Sequence, residues 1–337
     1  MPQQDSSAPE KLKMFENVLS FIDRHQSFIL TTHDSPDADG LGAQIVFAAI
    51  LKKLGKSSRL INNDPVPAHL GFIDNLRLVE NWNAEKHRPL LRDAALIILD
   101  TAAEYHIGSM SEALKTVKEA FTFDHHEPVP WPKLPGFNDP AAASTSELAI
   151  ELACYMGIEL DAQTATAAYA GIVYDSGFFA HPKTSLRTFR AAMTALEWGA
   201  DPNYIYRQLM ESASYQALLL QKQALSNLEF YAGKQIALLT LSKEDFEMIG
   251  AGFEDAENIV NIPLKVGEVE VSVLIKEKPD GEVRCSLRSK GRVNVSKVAQ
   301  EFGGGGHTTA AGFKSSSGME EILNKLLADV EARLNSV

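Results

Sequence analysis

The chain has 337 residues, 45% of them hydrophobic and 23% charged, with a formal net charge of −12, and at about 100–200 residues per domain this describes a globular protein of roughly two domains. No apolar run reaches the ~18 residues of a membrane span, the polar start MPQQDSSAPEKLK lacks the apolar core of a secretory signal, and two distant cysteines, Cys154 and Cys285, make neither a disulfide framework nor a sulfur-bound zinc site. A cytoplasmic protein with reduced thiols is expected, with no membrane partner and no long duplex DNA, which demands a basic surface; a small phosphate ligand needs only a local basic pocket.

Lys11 to His25 has helical apolar spacing through Leu12, Phe15, Val18, Leu19 and Ile22. SFILTTH reads as a short buried strand, Leu41 to Leu54 as a helix with Gly55 at its cap, and SRLIN as a second strand. AALIILD, ending at Asp100, and AFTFD, ending at Asp124, are apolar runs broken abruptly by a carboxylate. Strands separated by helices predict a parallel α/β sheet, whose ligands bind outside the carboxyl ends of the strands. Thr145 to Ala200 reads as helical throughout, interrupted by YDSGFFAHPKTS and closed by Gly199 and Pro202. A more polar helical run, Tyr204 to Glu229, links two domains with the boundary near 215, giving 1–215 and 216–337. The second is expected to be a smaller α/β domain. KQIALLTL and GEVEVSVLIKEK are strands, Pro279-Asp280-Gly281 is a turn, and EVRCSLRS is the return strand. VSKVAQEF is a short helix, GGGGH a glycine loop, AAGF a strand, and Met319 to Asn335 a terminal helix.

The chemistry gathers where these strands end. TTHDSPDADGLG places His33, Asp37 and Asp39 in one loop; Asp100 follows LIIL; Asp124, His125 and His126 follow FTF; Asp175 lies in GIVYDSG. A charge at the end of an apolar strand is costly unless paired or bound to a metal, and converging carboxylates need cations between them. Any one such Asp is more often a helix N-cap, and Asp37 and Asp39 could cap the helix starting near Leu41. Four separate positions bearing ligand-type residues are hard to obtain from capping alone. Imidazole plus carboxylate without thiolate suits Mn²⁺ or a similar ion. His33, Asp37, Asp39, Asp100, His125 and Asp175 are too many ligands for one ion, and two ions sharing a carboxylate fit better.

HDSPDADG, LIILD, FDHHEP and GIVYDSG, in this order, resemble the four motifs of the DHH phosphoesterase family, and GGGGHTTAAGF resembles the signature of the associated DHHA1 domain. Within the family the chain is most similar to the two-domain nanoRNase group of oligoribonucleases and 3′-phosphoadenosine-5′-phosphate (PAP) phosphatases. The resemblance implies that His33 and Asp37 hold one Mn²⁺, that Asp39, His125 and Asp175 hold the other, and that Asp100 bridges them. It further implies that His126 faces the scissile phosphate as a contact and proton donor, while Asp124 orients a histidine. PDADGLGA and HTTAAGF depart from the nanoRNase form, the latter toward the RecJ-like one, so substrate choice within the family stays open.

Between Arg284 and Gln300 the cations Arg284, Arg288, Lys290, Arg292 and Lys297 have no acidic residue among them. Arg284 and Arg288 fall on one face of their strand. Gly303 to Gly306, with Gly304 and Gly305 central, can bring backbone N–H groups to a phosphate, and His307 adds a side-chain donor. The resemblance also favours Arg288, Gly305 and His307 as substrate-binding residues. No aromatic ladder for long single strands is evident. The expected activity is Mn²⁺-dependent phosphoester hydrolysis. It would release 5′-mononucleotides from short RNA or DNA oligonucleotides, or phosphate from nucleoside bisphosphates such as PAP. A cyclic-dinucleotide or linear-dinucleotide phosphodiesterase, a pyrophosphatase and a non-catalytic nucleotide-binding module are the alternatives, and a homodimer is left open.

Overall fold

The computed structural model describes residues 8–127, 134–256, 258–306 and 308–335; His307 lies outside them. The chain divides into two compact units, Met1–Ser212 and Ala213–Val337. In the first, α1 (Ala8–Arg24) leads into β1 (Ser27–Thr31), α2 (Ala38–Lys53), β2 (Ser57–Asn62), β3 (Val79–Asn81), α3 (Ala84–Leu91) and β4 (Ala95–Leu99). After a 3₁₀ segment, Glu104–Lys115, come β5 (Ala120–Asp124), β6 (Gly136–Asn138), α4 (Thr145–Tyr155), α5 (Ala162–Asp175), α6 (Leu186–Glu197) and α7 (Pro202–Met210).

The six strands form one sheet in the order β3-β2-β1-β4-β5-β6, every pairing parallel. Both faces are covered. Phe28 and Leu30 of β1 enter the core that holds Phe47, Leu148 and Ile172, whereas Ile29 enters the opposite layer with Ile61, Leu96, Ile98 and Ile107. Burial on both faces is why these strands read as continuous apolar runs. Strand order reverses between β1 and β4, so the segments leaving these two strands diverge and open a crevice at their carboxyl ends.

Local chemistry corrects several expectations. Helix α2 starts at Ala38, not near Leu41: Asp37 is its N-cap and accepts from the N–H groups of Asp39 and Gly40. Asp39 therefore sits in the first helical turn, not in a loop with His33. The expected run from 145 to 200 is three helices. Gly157, at φ +66°, ends the turn after α4, and Asp161 caps a new start at α5 by accepting from Thr164 N–H. Pro202 opens α7, where its missing N–H costs nothing, and does not close the helix before it. The single linker helix expected from 204 to 229 is instead α7 and α8 (Tyr215–Ser226), with Ser214 capping the latter.

The second unit continues with β7 (Glu229–Tyr231), β8 (Ile236–Leu241), α9 (Lys243–Ile249), β9 (Val271–Glu277), β10 (Val283–Ser289), α10 (Val295–Gln300), β11 (Gly305–Gly306), β12 (Ala310–Ser315) and α11 (Met319–Asn335). Its sheet runs β11-β12-β10-β9-β8-β7; only β8 and β9 pair in parallel. Val271, Val273 and Ile275 of β9 share a core with Val298, Leu326 and Val330, and Leu274 joins Leu220, Leu239 and Phe246 on the other face. Part of the expected glycine loop is strand: Gly305 and Gly306 pair with Gly312 and Ala311.

Candidate metal centre

All six expected ligands converge at the β1–β4 crevice. His33 leaves β1 and its Nδ1 donates to the Asp34 carbonyl over 2.8 Å. Its Nε2 is thereby turned to Asp37 Oδ2 at 3.7 Å and Asp100 Oδ2 at 3.5 Å. His125 leaves β5 in the same manner. Nδ1 donates to the Ala142 carbonyl at 3.3 Å, and Nε2 faces Asp175 Oδ2 at 3.1 Å, Asp100 Oδ1 at 3.5 Å and Asp39 Oδ2 at 3.9 Å. A histidine whose Nδ1–H is anchored on a carbonyl presents Nε2 as a ligand.

His33, Asp37 and Asp100 form one group of candidate ligand atoms within 4.8 Å of one another, and Asp39, His125 and Asp175 form another. Asp100 touches both, one carboxylate oxygen toward each. His125 Nε2 is buried and, despite its three carboxylate neighbours, has no aligned hydrogen-bond partner. An orphaned imidazole nitrogen amid buried carboxylates fits a cation, with ligands of the oxygen and nitrogen type. Asp100, His125 and His126 make a third, overlapping group.

Electrostatics tell the same story. Burial raises the carboxyl pKa of Asp39, and the neighbouring charges of Asp100 and Asp175 raise it further. Burial also raises that of Asp175, against the pull of His125. Burial would raise Asp37 too, but His33 and the N–H groups at the α2 cap hold it below the usual range. For the histidines burial works the other way and loses. Asp100 and Asp37 carry His33 well above its ordinary value, and Asp175, Asp100 and Asp39 push His125 to about 10. The cluster calls for positive charge, and a divalent cation bound here would take the place of the protons on the two Nε2 atoms.

Asp124 and His126 stand beside this cluster. Asp124 Oδ1 accepts from His125 N–H at 2.8 Å, His126 N–H at 3.1 Å and His126 Nδ1 at 2.8 Å. It therefore grips His126, whose ring is 3.7 Å from Asp100 and one-third exposed. Burial opposes a charge on either residue, and their mutual contact prevails, lowering the pKa of Asp124 and raising that of His126.

Two residues of the centre escaped the sequence reading. The N-terminus of α4 grasps Asp39: Thr145 N–H donates to Oδ2 at 2.6 Å and Ser146 N–H to Oδ1 at 2.8 Å. Thr145 Oγ1 also donates to Asp100 Oδ1 at 2.7 Å. Both carboxylates are thus oriented by one helix end, whose dipole favours their charge. The available signal was Ser144-Thr145-Ser146-Glu147, an S-x-x-E helix start following a strand. A Cβ at Gly171 of α5 would run into Ser146 Oγ and Asp39 Oδ1, so glycine there lets α5 close on this arrangement. Asp100 itself has φ +62°, a conformation of the kind that strains backbone at functional sites.

The substrate-binding candidates lie in the second unit. Arg284 and Arg288 share a face of β10, alternating with buried Cys285 and Leu287. The basic strip is less free in space than in sequence. Arg284 meets Glu282 at 3.0 Å, Lys290 donates to the Val266 and Gly267 carbonyls, and Arg292 donates to Gln235. The amides of Gly303 and Gly304 are bound to the Gln300 and Ala299 carbonyls. Those two amides are therefore not free to face a phosphate.

The family model for the DHH family, N-terminal domain, matches residues 27–172, and the DHHA1 domain model matches 246–336. A probable bifunctional oligoribonuclease and PAP phosphatase NrnA of Streptococcus mutans is 29% identical over 306 residues, covering 90% of this chain and 94% of its own. The bifunctional oligoribonuclease and PAP phosphatase NrnA of Thermus thermophilus is 28% identical over 316 residues, 91% of each chain. The cyclic-di-AMP phosphodiesterase GdpP of Geobacillus thermodenitrificans is 29% identical over 304 residues, 84% of this chain but 44% of the relative. Among solved structures, an exopolyphosphatase-related protein from Bacteroides fragilis superposes with a TM-score of 0.89 at 26% identity, covering 96% of this chain and 98% of that one. Motif order, sheet topology and these matches agree: the chain belongs to the DHH/DHHA1 phosphoesterase family.

Proposed function

We propose that this protein is a two-metal, Mn²⁺-dependent phosphoesterase that hydrolyses short oligoribonucleotides to 5′-mononucleotides and dephosphorylates PAP. One observation carries the reading. The two oxygens of Asp100 face two separate His/Asp groups, 3.5 Å from His33 on one side and 3.5 Å from His125 on the other. That is the geometry expected of a carboxylate shared by two ions. The family is metal-dependent, and full-length NrnA relatives supply the substrate class. In this reading residues 1–215 carry the chemistry and 216–337 hold substrate.

His33 and Asp37 would hold one ion, Asp39, His125 and Asp175 the other, and Asp100 both. Bound there, such ions would supply an activated water nucleophile and positive charge for the phosphoryl group. The remaining work falls to the chain. Thr145 and Ser146 fix the orientation of Asp100 and Asp39. Asp124 holds the Nδ1 proton of His126 and stabilises its cationic form, so that ring can hand the Nε2 proton to the leaving oxygen. Arg288, Gly305 and His307 bind a remote phosphate, and that binding energy places the scissile bond.

Parallel product analysis over PAP, a linear dinucleotide, a five-nucleotide RNA, cyclic di-AMP and pyrophosphate tests this. Mononucleotide release from RNA and phosphate release from PAP, both abolished by chelation and by Asp100→Ala, are expected. Full activity in excess chelator would refute the two-metal reading. Cyclic di-AMP as the preferred substrate would favour the second reading, a dinucleotide phosphodiesterase, which the GdpP relative supports.

A further inference from the structure

The C-terminal sheet carries a concentration of charge that the substrate residues named so far do not account for. The strand register sets Lys276 of β9, Arg284 of β10 and Lys314 of β12 opposite one another, in one row across three neighbouring strands. Like charges directly opposed in a sheet repel, and in this row Glu282 and the Phe253 ring offset part of that repulsion at Arg284 and Lys276. Lys278 lies close by. Lys276 Nζ, Arg284 Cζ and Lys278 Nζ stand 4.3, 5.5 and 5.9 Å from the centre of the Phe253 ring. Phe253 is in turn backed by Phe246, ring centres 5.4 Å apart, which fixes this wall. Glu282 is shared between Lys278 at 2.7 Å and Arg284 at 3.0 Å. Lys314, at the outer end of the row, is exposed, and among the described residues no ion pair includes it.

Two residues further along β10 the next row is Ser286, Gly312 and Gly305, with Leu274 of β9 beyond Ser286 buried in the core. Two further again is Arg288, opposite Ala310. Residues two apart on a strand share a face. A floor almost without side chains therefore lies between the cationic row and Arg288. Four residues of strand separate Arg284 from Arg288, about 13 Å, which exceeds one nucleotide step. Cations on both margins of a smooth backbone floor fit a linear sugar-phosphate chain. A lone phosphate has no use for both margins.

We propose that the β10–β12–β11 face is a backbone track for a linear oligonucleotide, in which Lys314, with Arg284 beside it, holds a phosphate beyond the one at Arg288. The proposal rests on the oligonucleotide reading above and deepens it. A ligand of three or more nucleotides engages both margins, whereas a dinucleotide or PAP engages one, so the track sets a length preference.

The test uses the full chain with chelator present to stop hydrolysis. Calorimetric titration compares a five-nucleotide RNA with a dinucleotide for the unmutated protein, Lys314→Ala and Lys314→Glu. Lys314 is exposed, and thermal melting checks that the variants fold. Lys314→Ala is expected to weaken five-mer binding several-fold and Lys314→Glu more, while dinucleotide affinity moves less than two-fold. The slope of log K against log salt for the five-mer should fall by about 0.7, one phosphate contact to a single strand. An unchanged five-mer affinity, or equal losses at both lengths, would overturn the track. Dinucleotide hydrolysis by the unmutated protein with Mn²⁺ separates the two claims. Hydrolysis without a Lys314 effect sinks the track alone, and a length-dependent Lys314 effect without any hydrolysis sinks the catalytic reading alone.

Discussion

Thr145→Val removes one hydroxyl and keeps the shape of a buried side chain. The lost group donates to Asp100 Oδ1 over 2.7 Å, and Asp100 is the carboxylate assigned to both ions. A hydrogen bond to a charged group contributes about 1.5–3 kcal/mol, and each 1.4 kcal/mol is about tenfold in an equilibrium constant. Mn²⁺ affinity should therefore fall by roughly ten- to a hundred-fold, the usual cost of deleting a group that orients a metal ligand. The backbone N–H of Thr145 still holds Asp39 at 2.6 Å, which confines the damage to the bridging position. Thr145→Ser retains the hydroxyl and should retain most of the affinity. Calorimetric Mn²⁺ titration of the three proteins reads the effect directly, and the Mn²⁺ concentration for half-maximal hydrolysis gives a second measure. Equal Mn²⁺ affinity in Thr145→Val and the unmutated protein would refute the argument, leaving the hydroxyl a purely structural partner of Asp100.

His126→Ala should lower turnover by about 10²–10⁴-fold, the range for loss of a general acid, with metal content near that of the unmutated protein, whereas His125→Ala should lose metal; elemental analysis showing equal loss in both would mean the pair is misassigned. Arg288→Ala should keep its metals and lose about ten- to a hundred-fold in kcat/KM on a short oligonucleotide, but far less on a small generic phosphodiester with no remote phosphate to hold; parallel losses would assign the second unit a supporting role only. At the sheet edge, Arg59, Lys86 and His87 outweigh burial and hold the Glu80 carboxyl down at about 2, against an ordinary 4.5. A depressed carboxyl pKa adds stability that is fully present above pH 4.5 and is lost as pH falls toward 2. Urea midpoints of Glu80→Gln and the unmutated protein should therefore differ at pH 6 and converge near pH 2, and a constant gap across that range would contradict the assignment.

How much of this was legible in the chain follows the range of the forces involved. Strands β1, β2, β4 and β5 announce themselves as apolar runs because both faces of the first sheet are buried. The ligand-type residues at their ends announce themselves because a charge is costly in such a place. Elements of three residues, such as β3 and β6, are too short to carry a period. Breaks such as the one after α4 depend on a single Gly157 and a capping Asp161, and inside a long Ala- and Leu-rich stretch these are easily passed over. Sequence alone determined the topology class, the family and the six His and Asp residues proposed as ligands, since each rests on local pattern or motif order. Only the tertiary structure decided that Asp39 belongs to a helix turn gripped by Thr145 and Ser146, 106 and 107 residues away. Only the register of β9, β10 and β12 decided that Lys276, Arg284 and Lys314 form one row. Contacts at such separations come from the packing of whole elements, and no local propensity or spacing encodes which distant side chains that packing brings together.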